Sequence, residues 1–274
     1  MSNWTGVLKL DAEDRGGRTV ARNVYFQGAL KLMRPIYHDD SGKVCYYLLN
    51  PGGGYLDGDR YRLHISLNER ARVTLTTQSA TKIYKTPNSL AYQETEIHLK
   101  EGSFLEYLPD PLIAYRNAKY KQKNVIRMEK GATLIYSDII TPGWSPDGEF
   151  FSYEQLQLIN EIYMDEELIT FDHLKLSPSV KNMKTIGIME GYTHIGSMIV
   201  ICDQTNNELL DRIYKAVKSE ENEYKIGLSL LPVPGFSIRI LANLTQTIER
   251  IFNECHKLIS EEWFQTSPSF LRKY

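Results

Sequence analysis

A mainly β chain of stacked or sandwiched sheets, with two amphipathic helices near its C-terminal end, is the fold class this sequence predicts. Three observations carry it. Short alternating or β-branched stretches recur roughly every ten positions through about the first two hundred residues. Strong turn formers separate them. Helical spacing of apolar residues sets in only beyond about residue 204.

The strands come first. Val73–Thr77 is β-branched and alternates. In Gln93–Leu99, Thr95, Ile97 and Leu99 point one way while Glu94, Glu96 and His98 point the other. Phe104–Leu108, Thr133–Tyr136, Glu154–Ile159 and Leu168–Leu176 follow the same pattern. Their connectors include Pro51–Gly54, Asp57–Gly58, Glu101–Gly102, Pro109–Pro111, Lys130–Gly131 and Pro142–Gly148, all rich in turn-forming residues. Asn206 then opens a helix with Leu209, Leu210, Ile213, Tyr214 and Val217 on one face. Asn243 caps a longer helix carrying Leu244, Ile248, Ile251, Phe252, Cys255, Leu258 and Ile259. Between the helices, Lys225–Leu241 reads as two strands around a proline-rich turn. The expectation is one domain over residues 1–274: a β body over about 1–203, with a helix–hairpin–helix portion, about 204–262, appended to it.

Composition excludes several classes of function. The 274 residues are 42% hydrophobic and 24% charged, which suits a folded globular chain. A formal net charge of −2 gives no electrostatic basis for binding nucleic acid or an anionic membrane. Tyrosine, at 18 copies, is twice as frequent as phenylalanine, and it favours sheet surfaces where the ring packs and the hydroxyl finds a partner. Cys45, Cys202 and Cys255 are widely spaced and form no disulfide or metal-clip pattern. The N-terminal stretch lacks the apolar core of a secretory signal, and the longest apolar run, Gly196–Cys202, is too short for a bilayer. The expected location is the cytoplasm.

Catalytic motifs fail one by one. Pro51–Gly54 lacks the Lys-Ser/Thr pair and following helix of a phosphate loop, so it reads as a tight turn. Ser79 has no nucleophile elbow. The six histidines (His38, His64, His98, His173, His194 and His256) form no short ligand pair. Asp57–Asp59 lacks the remaining ligands of a calcium loop. No enzyme is expected.

The carboxylates are more informative. Glu106, Asp110, Asp138 and Asp172 each interrupt an apolar or aromatic strand context, where a charge is costly unless paired, wet or bound to a cation. Solvated positions on alternating strands would account for any one of them. Together they suit a polar channel whose hard oxygen ligands let a divalent ion bind weakly and leave.

Six blocks, taken in order, carry a resemblance: Gly28–Pro35, Leu49–Asp59, Thr76–Pro87, Leu105–Tyr115, Thr141–Gly148 and Met189–His194. In them the chain resembles the UreD (UreH) family of urease accessory proteins. The resemblance implies β-helix-like stacked sheets and a non-catalytic role in urease maturation. It implies binding to the urease apoprotein and to UreF, with recruitment of the GTPase UreG through UreF. It further implies delivery of nickel, held only in transit, through an internal water-filled tunnel, with no tightly bound cofactor.

Under that resemblance Asp59 sits in a recurring Gly-Asp turn and lines or shapes the passage. Asp138 and Asp172 match acidic tunnel positions, Asp172 with a shorter reach than the Glu of some relatives. Glu106 and Asp110 fall in the matching Leu-Glu-Tyr-Leu-Pro block, whereas Thr76, Thr77, Ser79 and Lys82 read as structural. The two helices and the tail Phe270–Tyr274 are the expected UreF side. The alternative is a purely structural adaptor that holds urease open without conducting nickel.

Overall fold

A computed structural model describes residues 4–218 and 223–264, so the tail 270–274 lies outside the described residues. The chain opens with β1 (Gly6–Asp14), β2 (Thr19–Gly28) and the short β3 (Lys31–Leu32). It continues through β4 (Val44–Leu49), β5 (Arg60–Leu67), β6 (Arg72–Thr77), β7 (Thr81–Ile83) and β8 (Ala91–Leu99). Next come β9 (Phe104–Leu108), β10 (Leu112–Ala114), β11 (Lys119–Met128) and β12 (Thr133–Ile140). A hairpin, β13 (Gln155–Met164) and β14 (Glu167–Leu176), precedes β15 (His194–Ile201). Helix α1 (Asn207–Val217), the strands β16 (Lys225–Leu230) and β17 (Gly235–Ala242), and helix α2 (Thr245–Phe264) follow.

The middle of the chain winds as a solenoid. Strands β5, β8 and β11 stack in parallel in one sheet, while β6, β9 and β12 stack in parallel in the other. The chain therefore crosses from the first sheet to the second once per coil. The short strands β7 and β10 form a third parallel ladder, extended by a bridge between Tyr55 and Ile83. The corners repeat. Ala71, Ser103 and Ala132 donate their N–H groups to the carbonyls of Asn68, Lys100 and Glu129. One residue earlier in each corner, Arg70, Gly102 and Gly131 all hold positive φ, where glycine is the least strained choice.

The first sheet runs β14-β13-β11-β8-β5-β1-β2; the main path of the second runs β16-β17-β15-β12-β9-β6-β4-β3. Between the sheets lies one core that includes Leu8, Leu63, Ile65, Ile97, Leu105, Ile126, Leu134 and Ile199. The expected alternation holds strictly on β8, and β11, a strand the sequence reading did not single out, alternates in the same way. A second core lies on the outer face of the second sheet. There Phe104, Ile135, Met198, Phe236 and Ile238 meet Leu209, Ile213, Ile248 and Phe252 of the two helices. Strand β15 is thus covered on both faces, which explains the continuous apolar run at Gly196–Cys202. Its Gly196 lies under Ile248 and Phe252 of α2.

Three sequence expectations need correction. The C-terminal portion is not appended to the β body, because the β16–β17 hairpin extends the second sheet by pairing β17 with β15. Tyr214 lies outside the buried stripe of α1 and is half exposed. Helix α2 begins at Thr245, leaving Leu244 outside it, while the Asn243 carbonyl accepts from the Thr193 hydroxyl at 3.3 Å. The Asn206 cap is as expected: its side chain accepts from the Leu209 N–H at 2.8 Å. The three cysteines are buried, and none is joined in a disulfide among the described residues. Among the described residues, no helix is long and apolar enough to cross a membrane.

Candidate functional site

The inward faces of the two sheets are not wholly apolar. On the first sheet Gln93 lies beside Gln122, and Thr95 beside Asn124. Asn124 lies beside Asn160, which lies beside Asp172. On the second sheet Asp138 lies beside Ser197, which lies beside Arg239. Stacking of coils lines up these polar positions because each occurs at the same phase of its strand. Thr95, Asn124 and Asn160 are at most 1% exposed.

The side chains form two hydrogen-bonded runs, which lie side by side where Gln93 pairs with Gln122 and Thr95 with Asn124. The Tyr55 hydroxyl donates to Gln93 Oε1, and Gln93 Nε2 donates to the Thr95 hydroxyl at 3.1 Å. The Tyr120 hydroxyl donates to Gln122 Oε1 at 3.1 Å. Gln122 Nε2 and Asn124 Nδ2 both donate to the Tyr136 hydroxyl, at 3.4 and 3.1 Å. Tyr136 in turn donates to Asp138 Oδ2 at 2.8 Å. Asn124 Nδ2 also reaches Asn160 Oδ1 at 2.8 Å, and Asn160 Nδ2 reaches Asp172 Oδ2 at 3.4 Å. The guanidinium of Arg239 closes the run, donating to Asp172 Oδ1 at 2.6 Å.

A cavity of about 100 Å³ adjoins the other end. Its walls include Asn50, Gly54, Thr77, Ser79 and Lys82, and Gln93, Tyr107 and Gln122 connect it to the polar run. The glycine turn is a wall element: Asn50 Oδ1 accepts from the Gly52 N–H, and Gly53 holds positive φ. Ser79 and Lys82, read from sequence as structural, therefore line the cavity.

The electrostatics are mild. Burial pushes the phenols of Tyr55, Tyr120 and Tyr136 well above 10, so they act as neutral dipoles. Burial also raises the Asp138 carboxyl to about 6, against the opposing pull of the Tyr136 hydroxyl and of Arg239. Asn124 Oδ1, wholly buried within the run, has no hydrogen-bond partner among the described residues. Such an atom is one further oxygen available to water or a cation.

The five sequence candidates separate into three groups. Asp138 and Asp172 meet at one end of the run, Asp138 from the second sheet and Asp172 from the first. Asp59 and Asp110 belong to the other end. Asp59 Oδ2 accepts from the Leu56 N–H at 2.8 Å and from the Tyr61 hydroxyl at 3.2 Å. Asp110 Oδ2 accepts from the hydroxyl of Thr77, a cavity residue, at 2.8 Å. Glu106 is separate: it shares the outward face of β9 with Phe104 and meets the helical layer instead. Sequence reasoning missed Gln93, Gln122, Asn124, Asn160 and Arg239. Among the described residues no group of three His, Cys, Asp or Glu side chains is placed to hold a metal ion.

Comparison with known proteins adds a relationship that the geometry alone does not. The family described as UreD urease accessory protein matches residues 5–273. A protein of Lachnoclostridium phytofermentans named urease accessory protein UreD is 48% identical over 274 residues, covering 100% of each chain. Proteins of the same name from Staphylococcus aureus strains Newman and JH9 are each 44% identical over 273 residues, covering 99% of this chain and 98% of theirs.

Proposed function

Because the chain belongs to the UreD family of urease accessory proteins, we propose that it acts in urease maturation as a non-catalytic partner that conducts nickel to the apoprotein. The cargo is a hard-to-borderline divalent ion, and a conduit for it must offer oxygen atoms without retaining the ion. The buried polar run between the sheets carries this reading. From the cavity, whose Thr77 hydroxyl donates to Asp110, amide and phenol oxygens lead to Asp138 and Asp172 without a tight ligand cage. In this scheme the protein works in the cytoplasm, contacts the urease apoprotein and UreF, and meets UreG through UreF. The exposed faces of α1 and α2 are the proposed UreF side, since their apolar faces are already buried.

The test is cellular. Asp138→Ala and Asp172→Ala are introduced together, and nickel content of urease is measured beside copurification with UreF. Nickel content falls while copurification persists. Undiminished nickel loading in the double variant would falsify conduction through this run.

The second reading is the adaptor, which holds urease open while nickel arrives elsewhere. One observation favours it: edge strand β2 exposes Val24, Tyr25 and Phe26 in succession, as an interface strand does. Substituting these three with Ser, Thr and Ser would then abolish copurification with urease, whereas the aspartate variants would leave nickel loading intact.

A further inference from the structure

Arg239 reaches across the gap between the sheets to Asp172 and lies close enough to Asp138 to act on it electrostatically. It lies on β17 beside Ser197, which lies beside Asp138, so all three share the inward face of the second sheet. Its guanidinium crosses to the first sheet and donates to Asp172 Oδ1 at 2.6 Å. Asp138 is 8% exposed, whereas the Asp172 and Arg239 side chains are 22% and 39% exposed. The buried polar run therefore meets solvent at this ion pair. Beyond it, Gly227 pairs with Arg239 across the hairpin, and a Cβ built there would meet nothing within 4 Å. The position beside Arg239 on the hairpin is therefore open.

We propose that Arg239 is a displaceable counter-cation which occupies Asp172 between passages and yields its place to a divalent cation. This rests on the conduit reading above. A partly exposed ion pair is held weakly, because water and salt screen it and long side chains lose freedom in forming it. A divalent ion at the same carboxylates carries twice the charge of the guanidinium and wins the exchange. A monovalent ion has no such advantage and lacks the directed hydrogen bonds of the guanidinium. Arg239 thus sets a selectivity for divalent over monovalent cations at this mouth. Asn124 Oδ1, a buried oxygen with no hydrogen-bond partner among the described residues, lies in the same run, one amide away from Asp172 by way of Asn160.

Equilibrium dialysis of the full-length protein with Ni²⁺ alone, in potassium buffer, tests the exchange. Arg239→Gln tightens Ni²⁺ binding about tenfold and makes it sensitive to added K⁺. Arg239→Lys, which keeps the charge, changes it less than about twofold. Gly227→Val fills the open position beside Arg239 and weakens Ni²⁺ binding about fivefold, giving a readout even if Arg239→Gln fails to fold. Unchanged binding in both Arg239→Gln and Gly227→Val overturns the proposal, provided that Asp138→Asn with Asp172→Asn abolishes binding; the conduit then survives with Arg239 as a mere tie. If the double aspartate variant binds Ni²⁺ like the parent, the conduit reading itself fails at this mouth and the exchange fails with it.

Discussion

His256 Nε2 of α2 lies 2.7 Å from Glu106 Oε1 of β9, joining the helical layer to the second sheet through a carboxylate that is 2% exposed. The Lys43 ammonium, 2.9 Å away, and the Thr74 hydroxyl complete the carboxylate's partners on its other oxygen. Burial alone pushes the Glu106 carboxyl up, yet His256, Lys43 and Thr74 together hold it well below the usual carboxylate range. This arrangement gives Glu106 a structural task on the face away from the polar run.

Replacing Glu106 by Gln strips Lys43 of its buried partner and destabilises the fold by about 3–5 kcal/mol in urea denaturation at neutral pH. Because the folded-state value is depressed, the stabilisation from Glu106 is present above the ordinary carboxylate pKa of about 4.3 and is lost as pH falls below it. The variant therefore shows a shallower acid limb than the parent. Equal acid limbs would mean that the carboxylate is not held in its charged form.

Asp138 behaves in the opposite sense. Its folded-state value, about 6, lies above the ordinary 3.8. Its contribution to stability is thus fully present below about pH 4 and lost as pH rises through about 6, a change of up to about 3 kcal/mol. Asp138→Asn removes that loss, so the variant gains stability relative to the parent between those two pH values. Denaturation midpoints measured across the window give the answer.

Tyr136→Phe removes one donor and one acceptor from the centre of the polar run. Asp138 loses a hydrogen bond, while Gln122 and Asn124 lose their shared acceptor. The cost is about 1–3 kcal/mol, and the Asp138 carboxyl moves further up once the phenol no longer favours its charged form. Carboxyl titration by NMR reads the second effect directly.

Gly196→Val separates helix docking from everything else. A Cβ there would meet Phe252 Cζ at 3.0 Å and Ile248 Cγ2 at 2.5 Å, so the side chains of α2 that pack on β15 must shift. Thermal melting shows a loss of about 1–3 kcal/mol. Gly227→Ala, whose Cβ meets open space, is the matched control and stays within about 0.5 kcal/mol.

Strand β8 was legible because its burial alternates, whereas β9 coincides with the sequence reading at both ends although it is buried on both faces. The coil repeat was not, because Arg70 occupies the positive-φ corner that Gly102 and Gly131 fill in the next two coils. Asp138 and Asp172 stood out as charges amid apolar residues. Gln122, Asn124 and Asn160 did not, although strand phase alone marks them: Asn160 falls between Leu158 and Ile162, and the pair Gln122 and Asn124 between Tyr120 and Ile126, in the same inward set. Glu106 carried the same signal as Asp138 but lies on the opposite sheet face, a difference of strand phase that needs both cores to interpret. The pairing of Arg239 with Asp172 spans 67 positions and depends on the hairpin joining the sheet, which local pattern does not show.

That hairpin also sets an order of events during synthesis. Both carboxylates emerge from the ribosome well before the guanidinium that answers them, which follows Asp172 by 67 residues. A nascent chain stalled ahead of β17 presents an acidic mouth with no counter-charge and a β15 edge with no neighbour. Completion of the chain therefore caps an aggregation-prone edge and arms the cation site in a single step.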